Sequence, residues 1–206
     1  MDDWSKVPLE VRDALRYLSA HFYPKRYMNR WKQIRQYSLL MVEKVKDYSP
    51  NQFKEELEHF EFFDKQFPDI HEVELPTSYI TFFDELMEEF REGNLMKIVT
   101  RFHLVTEGIL ATVGLSLLKR TGEKYNLKEF SEGIKRIIED EARHVAFGYK
   151  LVYDKEYAIK RINSLYPHAI QIVIDGKEKL SRLAPFEEIL AEMEKLKEMR
   201  VKKLLS

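Results

Sequence analysis

Val105-Thr-Glu-Gly-Ile-Leu-Ala-Thr-Val-Gly-Leu-Ser-Leu-Leu118 is an apolar run of fourteen residues with one charge, Glu107. A carboxylate in such surroundings needs something to offset its desolvation, and a metal cation is one such partner. The run falls within a helix predicted over 94–120, ending at Thr121-Gly122, with a four-residue connection to a second helix over 127–152. The turn near residue 124 lies midway between Glu107 and Glu141, so in an antiparallel pair the two carboxylates stand at the same height.

At 100° per residue the polar exceptions on the apolar faces become visible. In helix 127–152 the stripe holds Phe130, Ile134, Ile137, Ile138, Val145 and Val152, with Glu141 at its centre and His144 one turn on. In a helix predicted over 50–67 the stripe holds Phe53, Phe60, Phe63 and Phe67, with Glu56 in its middle and His59 beside it. Two helices therefore each push a Glu-x-x-His pair toward the core, and a third adds Glu107. Each pair supplies one carboxylate oxygen and one imidazole nitrogen from one helical face, which is what a carboxylate-bridged dimetal site requires. The competing reading is a buried salt-bridge network served by Arg143 and Arg101. His103 reads as a core or outer-shell histidine, and His21, His71 and His168 as surface or linker residues.

The rest of the chain also reads as helix. Val11, Leu15, Leu18 and Phe22 share one face of a helix over 8–22 that opens at Pro8. Pro24 breaks it, and residues 25–48 continue with a stripe of Tyr27, Trp31, Ile34, Met41 and Val45. Ser49-Pro50 starts the next helix and Pro68 ends it. After a linker over 68–77, Thr77 or Ser78 caps a helix that stops at Gly93. Beyond Asp154 helices are expected at about 157–164, 167–183 and 186–204. The last is charged on most faces, so it is expected to dock weakly or to meet another subunit. No strand pattern longer than a few residues occurs. The expected fold is therefore all-α: one domain over 1–206, with a metal-binding core at about 25–152 and a C-terminal helical appendage at about 155–206.

With 206 residues, 44% hydrophobic and 33% charged, the composition is that of a globular domain with a sizeable core. A net charge of -1 gives no reason to expect nucleic acid or an anionic membrane as partner. The absence of cysteine excludes disulfide and thiolate chemistry and fits a reducing cytoplasm. No apolar run approaches the roughly 20 residues of a membrane span, and the acidic, polar start is unlike a signal peptide.

Four stretches appear in order: Glu55-Glu56-Leu-Glu-His59-Phe-Glu-Phe-Phe63, Leu75-Pro-Thr-Ser-Tyr79, Val105-Thr-Glu107-Gly-Ile-Leu-Ala and Glu139-Asp-Glu141-Ala-Arg-His144-Val-Ala-Phe-Gly148. Over about 50–152 the chain resembles the ribonucleotide reductase small-subunit-like, ligand-binding oxidases of the ferritin-like superfamily. The resemblance implies a four-helix bundle with additional N- and C-terminal helices. It also implies a centre of two divalent metal ions, Fe/Fe or Mn/Fe, that reacts with dioxygen beside a fatty-acid-like ligand. By matching position, Glu56, His59, Glu107, Glu141 and His144 are five of the six protein ligands. The family's first-helix glutamate falls around Phe22–Lys25, where this chain has no carboxylate. Equal height across the turn at 49–50 points to Glu43 instead, and water is the alternative. The family's tyrosines after the first ligand histidine and before the third-helix glutamate are Phe63 and Phe102 here, so tyrosine radical storage and crosslinking do not carry over.

The leading expectation is a non-haem oxidase or oxygenase in which Glu107 and Glu141 bridge the metals. Gly108, Ala111, Gly114 and Gly148 would leave room beside them, and the phenylalanines of helix 50–67 would wall an apolar pocket. The expected partners are dioxygen, an apolar small molecule and a second copy of the chain. Two other readings stay open: a non-enzymatic, ferritin-like iron-handling protein, and a metal-free helical interaction protein with a relic site.

Overall fold

The computed structural model describes residues 2–23 and 52–206; Glu43 and the helix read over 25–48 lie outside the described residues. All regular structure among them is helical: α1 Leu9–Ala20, α2 Gln52–Gln66, α3 Thr77–Glu92, α4 Leu95–Lys124, α5 Lys128–Leu151, α6 Lys155–Asp175, the short α7 Lys177–Leu180 and α8 Phe186–Leu205. Helix α4 is the hub. It packs against α5 along its length, against α6 and α8 through its first half, and against α1 through its second. Helix α2 lies on α5 and meets the end of α1 through stacked rings, Phe22 on Phe63 and Tyr23 on Phe60. By length and composition α4 could cross a membrane, but it is mostly buried and forms the bundle's core.

Residues Val99–Ala111 of α4 are a π-helix, a wider winding that the apolar pattern did not announce. Side-chain donors supplement its backbone hydrogen bonds. Thr106 Oγ1 donates to Arg101 O at 2.7 Å, Thr112 Oγ1 to Glu107 O at 2.9 Å, and Arg200 Nε of α8 to Gly108 O at 2.9 Å. Extended π stretches are rare and concentrate at functional sites. This one contains Glu107.

The predicted breaks hold in part. Gly93 ends α3 at φ 69°, a left-handed position that costs glycine little. Helix α4 runs past Thr121-Gly122 to Lys124, and the turn into α5 is made by Asn126 at φ 57°. Asp2 stands at the start of α5, its carboxylate accepting from the backbone N–H groups of Glu129 (3.0 Å) and Phe130 (2.8 Å). Neither Thr77 nor Ser78 caps α3: Thr77 is its first residue, and the Ser78 hydroxyl donates to Asp175 at 2.6 Å.

Past Asp154 the structure corrects two expectations. Helix α6 is continuous through Pro167, because the buried face Ala158, Ile162, Leu165, Tyr166, Ala169, Ile172 and Val173 pins both halves. The hydrogen bond lost to the proline ring is outweighed by that packing. Helix α8 docks firmly, burying Phe186, Ile189, Met193, Leu196 and Leu204 against α6 and α4.

Helices α3, α4 and α6 are tied by a buried ion cluster. Glu89 Oε1 accepts from Arg101 Nε at 3.0 Å and also from Arg161, while Arg101 reaches Glu85 at 2.8 Å and lies over the Phe82 ring. Arg101 thus serves this cluster, away from the Glu-x-x-His residues.

At Gly148 the backbones of α4 and α5 come into contact: a Cβ there would sit 2.3 Å from His103 Cβ. Because that neighbour is a fixed atom of the chain, Gly148→Ala must push the helices apart. The expected cost is about 1–3 kcal/mol, read as a lowered melting temperature.

Candidate metal centre

Helices α2, α4 and α5 bring all five described ligand candidates to one place. Donor atoms of Glu56, Glu107, Glu141 and His144 lie within 4.8 Å of one another. His144 Nδ1 is 3.5 Å from Glu56 Oε1, 3.5 Å from Glu107 Oε1 and 3.6 Å from Glu141 Oε2. His59 Nδ1 faces the other oxygens of two of these groups, Glu56 Oε2 at 3.8 Å and Glu141 Oε1 at 3.7 Å. Such spacings let neighbouring donors share a cation at about 2.1 Å. The carboxylates that reach toward both imidazoles are Glu56 and Glu141. Glu107 stands on the His144 side alone, whereas the sequence reading had it span both.

The far nitrogen of each histidine is held by a carboxylate from the opposite helix. His59 Nε2 donates to Asp140 Oδ2 of α5 at 2.8 Å, and His144 Nε2 to Glu55 Oε2 of α2 at 2.8 Å. Asp140 and Glu55 are the residues just before Glu141 and Glu56, so the acid-Glu-x-x-His pattern is used crosswise. Arg143, largely exposed, clamps both outer acids, Glu55 Oε1 at 2.8 Å and Asp140 Oδ1 at 2.5 Å. This arrangement fixes each ring with Nδ1 inward, as metal-binding histidines require. Sequence reasoning missed Glu55, Asp140 and Gln52; the repeated acidic residue before each Glu was the available signal.

Glu107 is braced separately. Its Oε2 pairs with His103 Nδ1 at 2.6 Å, and its Oε1 accepts from Gln52 Nε2 at 3.1 Å. His103 is thus a buried histidine with its Nδ1 satisfied by Glu107.

The electrostatics are those of crowded anions. Burial and the charge of Glu56 push the Glu141 carboxyl up to about 7. Burial also opposes ionisation of Glu107, but the charge and hydrogen bond of His103, with His144, hold it down to about 2. Burial disfavours a charged His59, yet Glu56 and then Glu141 and Asp140 outweigh it and raise the imidazole to about 9. Glu141 Oε2 and His144 Nδ1 are buried without a hydrogen-bond partner. Orphaned atoms of this kind, facing each other among three carboxylates, fit a cation.

An apolar cavity of about 160 Å³ opens beside these residues. Its aromatic walls include Phe22 from just past α1, Tyr79 and Phe83 from α3, and Phe102 from α4. The α2 phenylalanines 60, 62, 63 and 67 are absent from its lining; Phe63 and Phe67 are buried in the core, and Phe62 packs on Phe130. Of the residues expected to leave room, Ala111 and Gly114 line the cavity, while Gly108 faces Arg200 and Gly148 faces His103.

His21 also lines the cavity, whereas the sequence reading left it at the surface. Its ring packs edge-on against Tyr17 and Tyr79, and Nδ1 donates to Tyr17 O at 3.0 Å. His71 and His168 are exposed as read. Burial lowers the His21 pKa from 6.5 to about 4. The unfolded chain then binds this proton first, so stability falls as pH drops through 6.5 and levels off below about 4. Thermal melts at pH 7 and pH 5 should show a smaller acid loss in His21→Gln than in the parent.

Solved structures identify the fold. The chain overlays an R2-like ligand-binding oxidase with aerobically reconstituted Mn/Fe cofactor at a TM-score of 0.79, with 19% identity over 97% of this chain and 82% of that one. The chain has the fold of the R2-like ligand-binding oxidases. A variant of such an oxidase with anaerobically reconstituted Mn/Fe cofactor overlays at 0.80, and one with an aerobically reconstituted Fe/Fe cofactor at 0.78, each at 19% identity over 97% of this chain and 82% of the other. No protein-family model matches the sequence, and no curated protein does. The all-α, ferritin-like architecture expected from the sequence is thus the observed one. Within the R2-like oxidase fold, this chain has Phe63 and Phe102, both without a hydroxyl, at the positions read for tyrosines.

Proposed function

We propose that this chain is a cytoplasmic dimetal-carboxylate oxidase, holding two divalent cations, Fe/Fe or Mn/Fe, and bringing dioxygen to an apolar small molecule. One observation carries the reading: two inward Nδ1 atoms face the opposite oxygens of Glu56 and Glu141, with Glu141 Oε2 and His144 Nδ1 buried and unpartnered. Those two atoms lie 3.6 Å apart among three carboxylates, where a cation would answer both. Hard carboxylates with only two imidazoles suit iron or manganese, and the solved neighbours named above carry those metals.

When bound, the cation pair supplies the redox chemistry that reduces dioxygen. The chain's own residues divide the remaining work. Asp140 and Glu55 keep the Nε2 protons of His59 and His144, leaving each Nδ1 lone pair for a cation. Glu56 and Glu141 would serve both cation positions, and Glu107, braced by His103 and Gln52, the His144 position only. The largely apolar cavity beside them accepts the organic partner. A sixth protein ligand, Glu43 or water in its place, belongs to the same proposal.

The test is anaerobic loading with ferrous iron followed by air. The expected result is a ferric absorption band with dioxygen uptake in proportion to bound iron. Iron bound without dioxygen uptake above a blank would instead favour an iron-handling protein.

A further inference from the structure

We infer that the cavity beside the candidate metal centre takes a ligand with a single aromatic ring, not a long alkyl chain. Its volume is about 160 Å³. An engineered apolar cavity of about 150 Å³ in another protein holds one benzene molecule. A sixteen-carbon chain has more than twice the carbons of that ring and does not fit such a space without moving its walls. Those walls are set by packing: Leu86 and Leu117 are almost wholly buried, and Val113 and Met87 nearly so. Core side chains of this kind resist displacement.

The lining also favours an aromatic guest over an aliphatic one. Phe22 from just past α1, Phe83 from α3 and Phe102 from α4 all line the space, and Met87 adds a polarizable sulfur. Rings and thioethers make directional contacts with an aromatic guest that an alkyl chain cannot return. The two hydroxyls in this lining are already committed, Thr106 to Arg101 O and Tyr79 to His21 O. The cavity's polar end is the group Glu56, His59, Glu107 and Glu141. The inference rests on the dimetal reading only in calling this guest a substrate; the ring-sized cavity stands without it.

Calorimetry and thermal melts on the full chain, with metal content measured in the same preparations, test the assignment. Toluene should bind with one equivalent per chain and raise the melting temperature, and palmitate and n-hexane should each bind at least tenfold more weakly. Ala111→Phe, which fills the space, should weaken toluene at least tenfold. Phe83→Ala, which enlarges it, should strengthen naphthalene at least tenfold, and it decides the matter if the filled variant does not fold. Palmitate or n-hexane bound as tightly as toluene, or no toluene bound at all, overturns the inference whatever the metal content. Toluene bound with no metal retained upholds the ring-sized site and removes the dimetal reading.

Discussion

Glu141→Ala is expected to empty both cation positions at once, taking metal content from about two equivalents per chain to less than about a tenth of that. The reason is geometric. Glu141 offers one oxygen toward His59 and the other toward His144, so no other single truncation but that of Glu56 touches both sides. In the metal-free chain the same carboxylate contributes little, since burial and the Glu56 charge already push it up to about 7. Metal-free parent and variant should therefore melt within a few degrees of each other, and only the parent should gain stability when iron or manganese is added. Arg143→Ala sets the scale of an indirect effect. It removes the clamp on Glu55 and Asp140 but leaves the donors in place, so metal affinity should fall by only about tenfold. A parent that takes up no metal, with a Glu141→Ala variant that unfolds much earlier, would make the cluster a structural ion-pair core.

Glu89→Ala is expected to be strongly destabilising although it lies away from the candidate site. Glu89 is 7% exposed, and its Oε1 accepts from Arg101 and Arg161 together. Removing it leaves the buried Arg101 and the partly buried Arg161 without their shared carboxylate, and the exposed Glu85 as the remaining anion for Arg101. Breaking a buried pair in this way costs about 3–5 kcal/mol. For a domain of this size that is a fall of roughly 6–20 °C in melting temperature. Glu85→Ala, at a half-exposed partner, should cost under about 1 kcal/mol, and the contrast between the two melts is the check. Equal small losses would mean that water already screens the cluster.

Much of the arrangement was legible in the sequence, and for one reason. Glu56, His59, Glu107, Glu141 and His144 stand as polar exceptions on faces otherwise filled by Phe60, Phe63, Ile134, Ile137 and Val145. A buried charge on an apolar stripe is a strong local signal because it is so costly unless answered. The same periodicity located α2 to α5, and Gly93 and Pro68 marked ends because their backbone chemistry is local. It failed at Pro167, where a local breaker was overruled by the buried face of α6. It also undervalued α8, whose charged residues hide an apolar row of Phe186, Ile189 and Met193.

By itself the sequence determined an all-helical chain, two Glu-x-x-His pairs and a lone Glu107 directed at one interior, since helical periodicity alone assigns each side chain to a face. The tertiary structure decided what lies across from each of them. It paired Asp140 with His59 and Glu55 with His144, turned Glu56 and Glu141 toward both imidazoles, and wound α4 as a π-helix around Glu107. It also drew the cavity's phenylalanines from just past α1, from α3 and from α4 instead of from α2. These are contacts between residues distant in the chain, and they depend on the relative rotation and height of packed helices, which no single helix encodes.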